Sequence, residues 1–147
     1  MKTIWFDLDG CIAGLYAVEN WLDYLQNEST YPYEAAKPLL NFSMFAKLLR
    51  KLQNHGYKIG IISWTSKSGS EEYQNRIEYA KRQWLARHLP SVVWDEIRIV
   101  RYGTNKYLSC GGGILFDDEE RNRDSWEDES YAPEDIIRIL KSLLEEV

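Results

Sequence analysis

Apolar and polar positions follow two rhythms along this chain, and the changes of rhythm predict where strands give way to helices. Residues 2–6, KTIWF, form a short apolar run ending at acids and a glycine, which reads as a buried strand emptying into a loop. Between Ala17 and Asn27 the apolar positions Val18, Trp21, Leu22 and Leu25 recur at helical spacing, and the following STYPYEAAKP, with Pro32 and Pro38 as breaks, reads as a loop. Asn41 is placed to cap a second helix that carries Phe42, Phe45, Leu49 and Leu52 on one face and stops at His55-Gly56. The apolar, β-rich YKIGIIS at 57–63 predicts a second strand, and a long helix follows from about 70 to 88 with Tyr73, Ile77, Trp84 and Leu85 on one side. EIRIVRY at 96–102 reads as a third strand and GILF at 113–116 as a fourth. A closing helix from Pro133 bears a stripe of Ile136, Leu140, Leu143, Leu144 and Val147.

Strands alternating with helices imply a parallel sheet, because parallel neighbours need helical crossovers. The expected fold class is α/β, a three-layer doubly wound parallel sheet. Ligands in such sheets bind beyond the carboxyl ends of the strands, where strand order reverses. Three of the four predicted strands end in polar groups: Asp7 and Asp9 after the first, Ser63 after the second, Asp117 and Asp118 after the fourth.

Composition narrows the picture. A chain of 147 residues, 44% hydrophobic and 28% charged, fits one domain over residues 1–147. Its 18 Lys and Arg against 23 Asp and Glu give a net charge of -5, so the surface has no general attraction for nucleic acid or anionic lipid. No apolar run reaches the roughly 18 residues of a membrane span, and a cytoplasmic location is expected. Cys11 and Cys110 match no zinc spacing and are expected as reduced thiols at opposite ends of the sheet; His55 and His88 are too few for a histidine metal centre.

Asp7, Asp9, Asp117 and Asp118 in one crevice would repel one another, and a hard divalent cation relieves this. Magnesium suits a site with few carboxylates that also holds a phosphate. Ser63, the backbone N–H of Trp64 and a lysine would serve phosphate oxygens, with Lys106 preferred over Lys67. An EF-hand loop beginning at Asp7 is excluded, since Cys11, Ile12 and Val18 occupy positions that need a ligand, a glycine and a glutamate. CGGGI at 110–114 precedes a strand and lacks the GK[ST] of a phosphate loop, so it reads as a turn.

IWFDLDG, GIIS, Lys106 and GILFDD, in that order, resemble the four signature motifs of the haloacid dehalogenase superfamily of phosphohydrolases. The resemblance implies that Asp7 attacks phosphorus to form an aspartyl-phosphate, while Asp9 protonates the leaving oxygen and then activates water. It also implies that Ser63, Trp64 and Lys106 hold phosphoryl oxygens. Asp7, the Asp9 carbonyl, Asp117 and Asp118 would bind magnesium. Cys11 departs from the threonine common after DG in that family. There is no room for a large cap; residues 12–40 provide at most a small flap, whose Tyr16, Trp21, Tyr24, Tyr31 and Tyr33 could stack on a base or simply pack.

The short spacing from Lys106 to Asp117 and the asparagine of DDEERN are similar to small deoxyribonucleotidase-like members, which makes a nucleotide monophosphate the first substrate class. Two other functions stay open. One is a polynucleotide end-phosphatase guided by Lys47, Arg50, Lys51, Arg76, Lys81 and Arg82, residues read more simply as solvated helix faces. The other is a non-enzymatic binding module that keeps the fold.

Overall fold

The computed structural model describes residues 2–147. Five parallel strands form one sheet in the order β3-β2-β1-β4-β5: β1 (Thr3–Phe6), β2 (Lys58–Trp64), β3 (Glu96–Val100), β4 (Ile114–Phe116) and β5 (Ser130–Tyr131). The chain builds outward from β1 through β2 to β3, then returns to the other side of β1 for β4 and β5. Strand order therefore reverses between β1 and β4, and the crevice above this pair is where an open α/β sheet receives ligands.

Alternation along the strands separates the two faces. Ile4, Phe6, Ile59, Ile61, Ile114 and Phe116 pack on one face with Phe45, Leu49 and Leu52 of α3 (Phe42–Asn54), Trp84 and Leu85 of α4 (Glu71–His88), and Leu140 and Leu143 of α7 (Ile136–Glu145). Trp5, Ile62 and Leu115 point the other way, against Trp126 and the Tyr107 of α5 (Lys106–Cys110). Helical cover on both faces gives the doubly wound α/β architecture expected from the pattern. The predicted cap forms, with Asn41 Oδ1 accepting from the Met44 N–H at 3.0 Å, and α4 is capped in the same way by the Ser70 hydroxyl, which accepts from the Tyr73 N–H at 3.1 Å.

Several elements differ from the sequence reading. The predicted helix at 17–27 is a 3-10 turn (Leu15–Ala17) followed by the short α1 (Trp21–Gln26). STYPYEAAKP is not wholly a loop: it contains α2 (Tyr31–Ala35), because Pro32 occupies the first turn, where a missing N–H costs nothing. The short α5, α6 (Glu120–Ser125) and β5 were not legible at all.

Residues 12–40 leave the sheet and return, tied at the base by the Gly14 N–H to the Lys37 carbonyl (2.8 Å) and the Leu39 N–H to the Ile12 carbonyl (3.0 Å). Leu15 and Tyr33 of this excursion pack on Tyr73, Ile77 and Ala80 of α4. No helix among the described residues is long and apolar enough to cross a membrane. Cys11 and Cys110 are free thiols, one just past the carboxyl end of β1 and one just before the amino end of β4. His88 packs on Trp84, and His55 caps the end of α3.

Candidate active site

The sequence places Asp7 one residue beyond β1 and Asp117 one residue beyond β4, and the fold sets these two strands side by side. The Asp7 N–H donates to the Phe116 carbonyl at 2.9 Å, locking the two strand ends together. Asp7, Asp117 and Asp118 consequently offer carboxylate oxygens that all lie within 4.8 Å of one another. Gly10 makes this approach feasible. It adopts a φ of 77°, and a Cβ there would stand 2.3 Å from Asp118 Oδ2.

Lys106 answers two of these acids. Asn105 Oδ1 caps α5 by accepting from the Leu108 N–H (2.9 Å), and the helix start directs the Lys106 ammonium to Asp117 Oδ2 at 2.6 Å and Asp7 Oδ1 at 3.2 Å. Only 3% of Lys106 is exposed. Burial works against its charge, but Asp7 and Asp117 outweigh burial and hold its pKa above the ordinary lysine value. Asp117, fully buried, also accepts from Asn122 Nδ2 at 3.2 Å and from the Glu119 N–H at 2.9 Å. Burial first, and then the charge of Asp7, push the Asp117 pKa up. The same two causes push Asp118 up to about 8. Asp118 Oδ1 is buried without a hydrogen-bond partner.

The Asp9 carboxylate stands apart from this cluster. Its Oδ2 accepts from Lys81 Nζ at 2.8 Å, and the same ammonium donates to Ser63 Oγ at 2.7 Å and the Trp64 carbonyl at 2.6 Å. The reading of Lys81 as part of a solvated basic face is thus corrected. Lys81 is 2% exposed and lies in the stripe of Ile77, Trp84 and Leu85, on the face of α4 that meets the core. Helical spacing already pointed there, but residue type argued for solvent. Arg76 and Arg82 from the same proposed nucleic-acid face are engaged with the Glu28 carbonyl, and with Glu78 and the Ile97 carbonyl, respectively.

A cavity of about 400 Å³ opens over the strand ends, with Asp7, Asp9 and Lys106 at its floor. Leu15, Tyr16, Trp21, Leu22 and Tyr33 from the 12–40 excursion line one wall, and Trp64 and Tyr102 another. Tyr24 and Tyr31 instead pair with each other, at 4.9 Å between ring centres, away from the cavity. Arg121 lies over the Trp64 ring at 4.8 Å and bonds the Tyr102 hydroxyl at 2.7 Å, stiffening that wall. Ser63 is fully buried against Lys81 and does not line the cavity; Trp64, Thr65, Ser66 and Lys67 do. Thr65 Oγ1, buried and unpartnered, is a cavity group that the sequence reading missed.

The carboxylate crevice at the point where strand order reverses, with a buried lysine across it, can be compared with known structures. D,D-heptose 1,7-bisphosphate phosphatase from B. bronchiseptica, solved with magnesium and phosphate, superposes with a TM-score of 0.59 at 16% identity, covering 100% of both chains. The chain has the haloacid dehalogenase fold. D,D-heptose 1,7-bisphosphate phosphatase from Burkholderia Thailandensis superposes on this same fold with a TM-score of 0.55 at 13% identity, over 98% of this chain and 99% of that one. No family model and no curated protein sequence matches this haloacid dehalogenase-fold chain.

Proposed function

We propose that this protein is a magnesium-dependent phosphomonoester hydrolase that works through an aspartyl-phosphate on Asp7. One observation carries this reading: the carboxylates of Asp7, Asp117 and Asp118 and the buried Lys106 converge at the strand-order reversal, and of these Asp7 and Lys106 line a cavity wide enough for a small molecule. The haloacid dehalogenase fold and the magnesium and phosphate bound to the B. bronchiseptica enzyme support it.

The residues fit a hard divalent cation. Every donor is an oxygen, and the unpartnered Asp118 Oδ1 is a buried acceptor in want of a positive partner. Asp7, the Asp9 carbonyl, Asp117 and Asp118 would hold magnesium. When bound, it supplies positive charge against the carboxylates and the phosphoryl oxygens.

The chain's own groups do the rest. An Asp7 oxygen attacks phosphorus, the ester oxygen leaves with a proton from Asp9, and water then gives its proton to Asp9 as it releases orthophosphate from Asp7. Lys106 and the backbone N–H of Trp64 hold phosphoryl oxygens, with Ser63 at the same strand end.

The substrate class proposed is a nucleoside monophosphate. The aromatic rings of Tyr16, Trp21 and Tyr33, facing Trp64 and Tyr102, suit a flat base better than a polyhydroxylated sugar. A cytoplasmic setting fits the free thiols of Cys11 and Cys110.

The test is phosphate release from nucleoside monophosphates, p-nitrophenyl phosphate and a 5′-phosphorylated oligonucleotide, with magnesium or with a chelator, for wild type and Asp7→Asn. Release that needs magnesium and disappears in Asp7→Asn is expected, with mononucleotides preferred. Oligonucleotide as the best substrate would make the protein an end-phosphatase. Folded wild type that releases nothing would make it a binding module.

A further inference from the structure

Resting on the phosphohydrolase reading above, we infer that Lys81 is a positioning residue that fixes the orientation of Asp9 over the reacting centre. An ammonium has three protons, and Lys81 places them on three acceptors: Asp9 Oδ2 at 2.8 Å, Ser63 Oγ at 2.7 Å and the Trp64 carbonyl at 2.6 Å. None remains for substrate, so Lys81 is not a phosphate ligand. Its stem is equally constrained, buried to 2% exposure within the core-facing stripe of α4, with the ammonium 5.2 Å from the centre of the Tyr33 ring.

Two of the three acceptors belong to the end of β2, so Asp9 is referenced to the rigid sheet rather than to its own loop. With Oδ2 held, the Asp9 carboxylate keeps one free oxygen, and Asp9 lines the cavity. That oxygen is the one that delivers a proton to the departing ester oxygen and later takes one from water. Stability alone is a poor account of such a residue, because a buried ion pair is often no more stabilising than an apolar pair of the same volume.

A general acid matters most when the leaving group is strongly basic, and this makes the assignment testable. Phenyl phosphate and p-nitrophenyl phosphate have leaving groups of similar size, but phenolate needs a proton far more than nitrophenolate does. Lys81→Met is expected to lower kcat/KM for phenyl phosphate by at least about tenfold, part of the contribution of a positioned acid, while p-nitrophenyl phosphate changes by less than about threefold. In an Asp9→Ala background, Lys81→Met should then cost nothing further on phenyl phosphate.

Lys81→Gln, which keeps donors for the Trp64 carbonyl and Ser63, gives the same leaving-group dependence at a smaller fold-change if Lys81→Met does not fold. Equal losses on both esters, no loss on either, or an undiminished loss in the Asp9→Ala background overturns the assignment while leaving the phosphohydrolase reading intact. Wild type inert on both esters with magnesium overturns that reading, and the role of Lys81 falls with it.

Discussion

At the scale of single residues, the site is a contest between burial and charge. Of four aspartates, Asp9 pairs with the buried Lys81 and Asp7 and Asp117 with the buried Lys106, while Asp118 pairs with neither lysine. Lys106→Met would leave Asp7 and Asp117 without their cation. Losing one partner of a buried pair costs about 3 kcal/mol or more, which urea unfolding of the metal-free protein would report as a lowered midpoint at unchanged slope. Turnover should fall by about 10²–10³, since Lys106 also faces the phosphoryl oxygens of the proposed substrate. A variant that unfolds more easily yet turns over normally would confine Lys106 to structure. Asp7 and Asp117 were legible because polar residues at strand ends stand out against apolar runs, and Lys106 through its spacing before Asp117. Lys81 was not, because the usual preference of lysine for water outweighed its place in the Ile77 and Trp84 stripe.

The elements show where pattern suffices and where tertiary contacts decide. The three longest helices and the strands β1, β2 and β4 that carry the site follow from periodicity and caps, since each buries a continuous run or face. α2, α5, α6 and β5 have six residues or fewer, too short to show a period, and packing on the rest of the molecule defines them. α5 is nevertheless the element that aims Lys106, and Asn105 fixes its start. Asn105→Ala should destabilise by about 1 kcal/mol, the ordinary value of a lost cap. Turnover should fall further than that small loss implies, because the same turn sets the direction of the ammonium. Calorimetry beside phosphate-release kinetics separates the two effects, and a fall in melting temperature with full activity would mean that packing alone orients Lys106. The excursion over the sheet makes a prediction of its own kind. Trp21→Ala should raise KM for a nucleoside monophosphate by about tenfold, the value of a lost stacking contact, and barely alter KM for p-nitrophenyl phosphate. Equal changes on both substrates would remove Trp21 from base recognition.

For the whole molecule, the fold concentrates negative charge at one crevice and pays for it in stability when no cation is present. Asp118 shows the cost most directly, its pKa pushed up to about 8 by burial and by the neighbouring charges of Asp7 and Asp117. In the unfolded chain the same carboxyl titrates near 3.9. Between these values the folded state holds a proton that the unfolded state has released, so the unfolded state binds fewer protons and stability falls as pH rises from about 4 to about 8. Metal-free protein should therefore lose several degrees of melting temperature across that window. Asp118→Asn, which cannot ionise, should flatten this part of the profile. Magnesium requires the deprotonated carboxylates, so the stabilisation it gives should grow with pH as Asp118 releases its proton. At a hundredfold excess over its dissociation constant the cation would add about 2.7 kcal/mol. Melting curves at pH 6 and pH 8.5, with magnesium or a chelator, test both halves of the argument together. The magnesium shift should be larger at pH 8.5 and much reduced in Asp118→Asn. A shift of equal size at both pH values, or one unchanged in Asp118→Asn, would mean that the cation binds elsewhere and that the crowding of these three acids has another purpose.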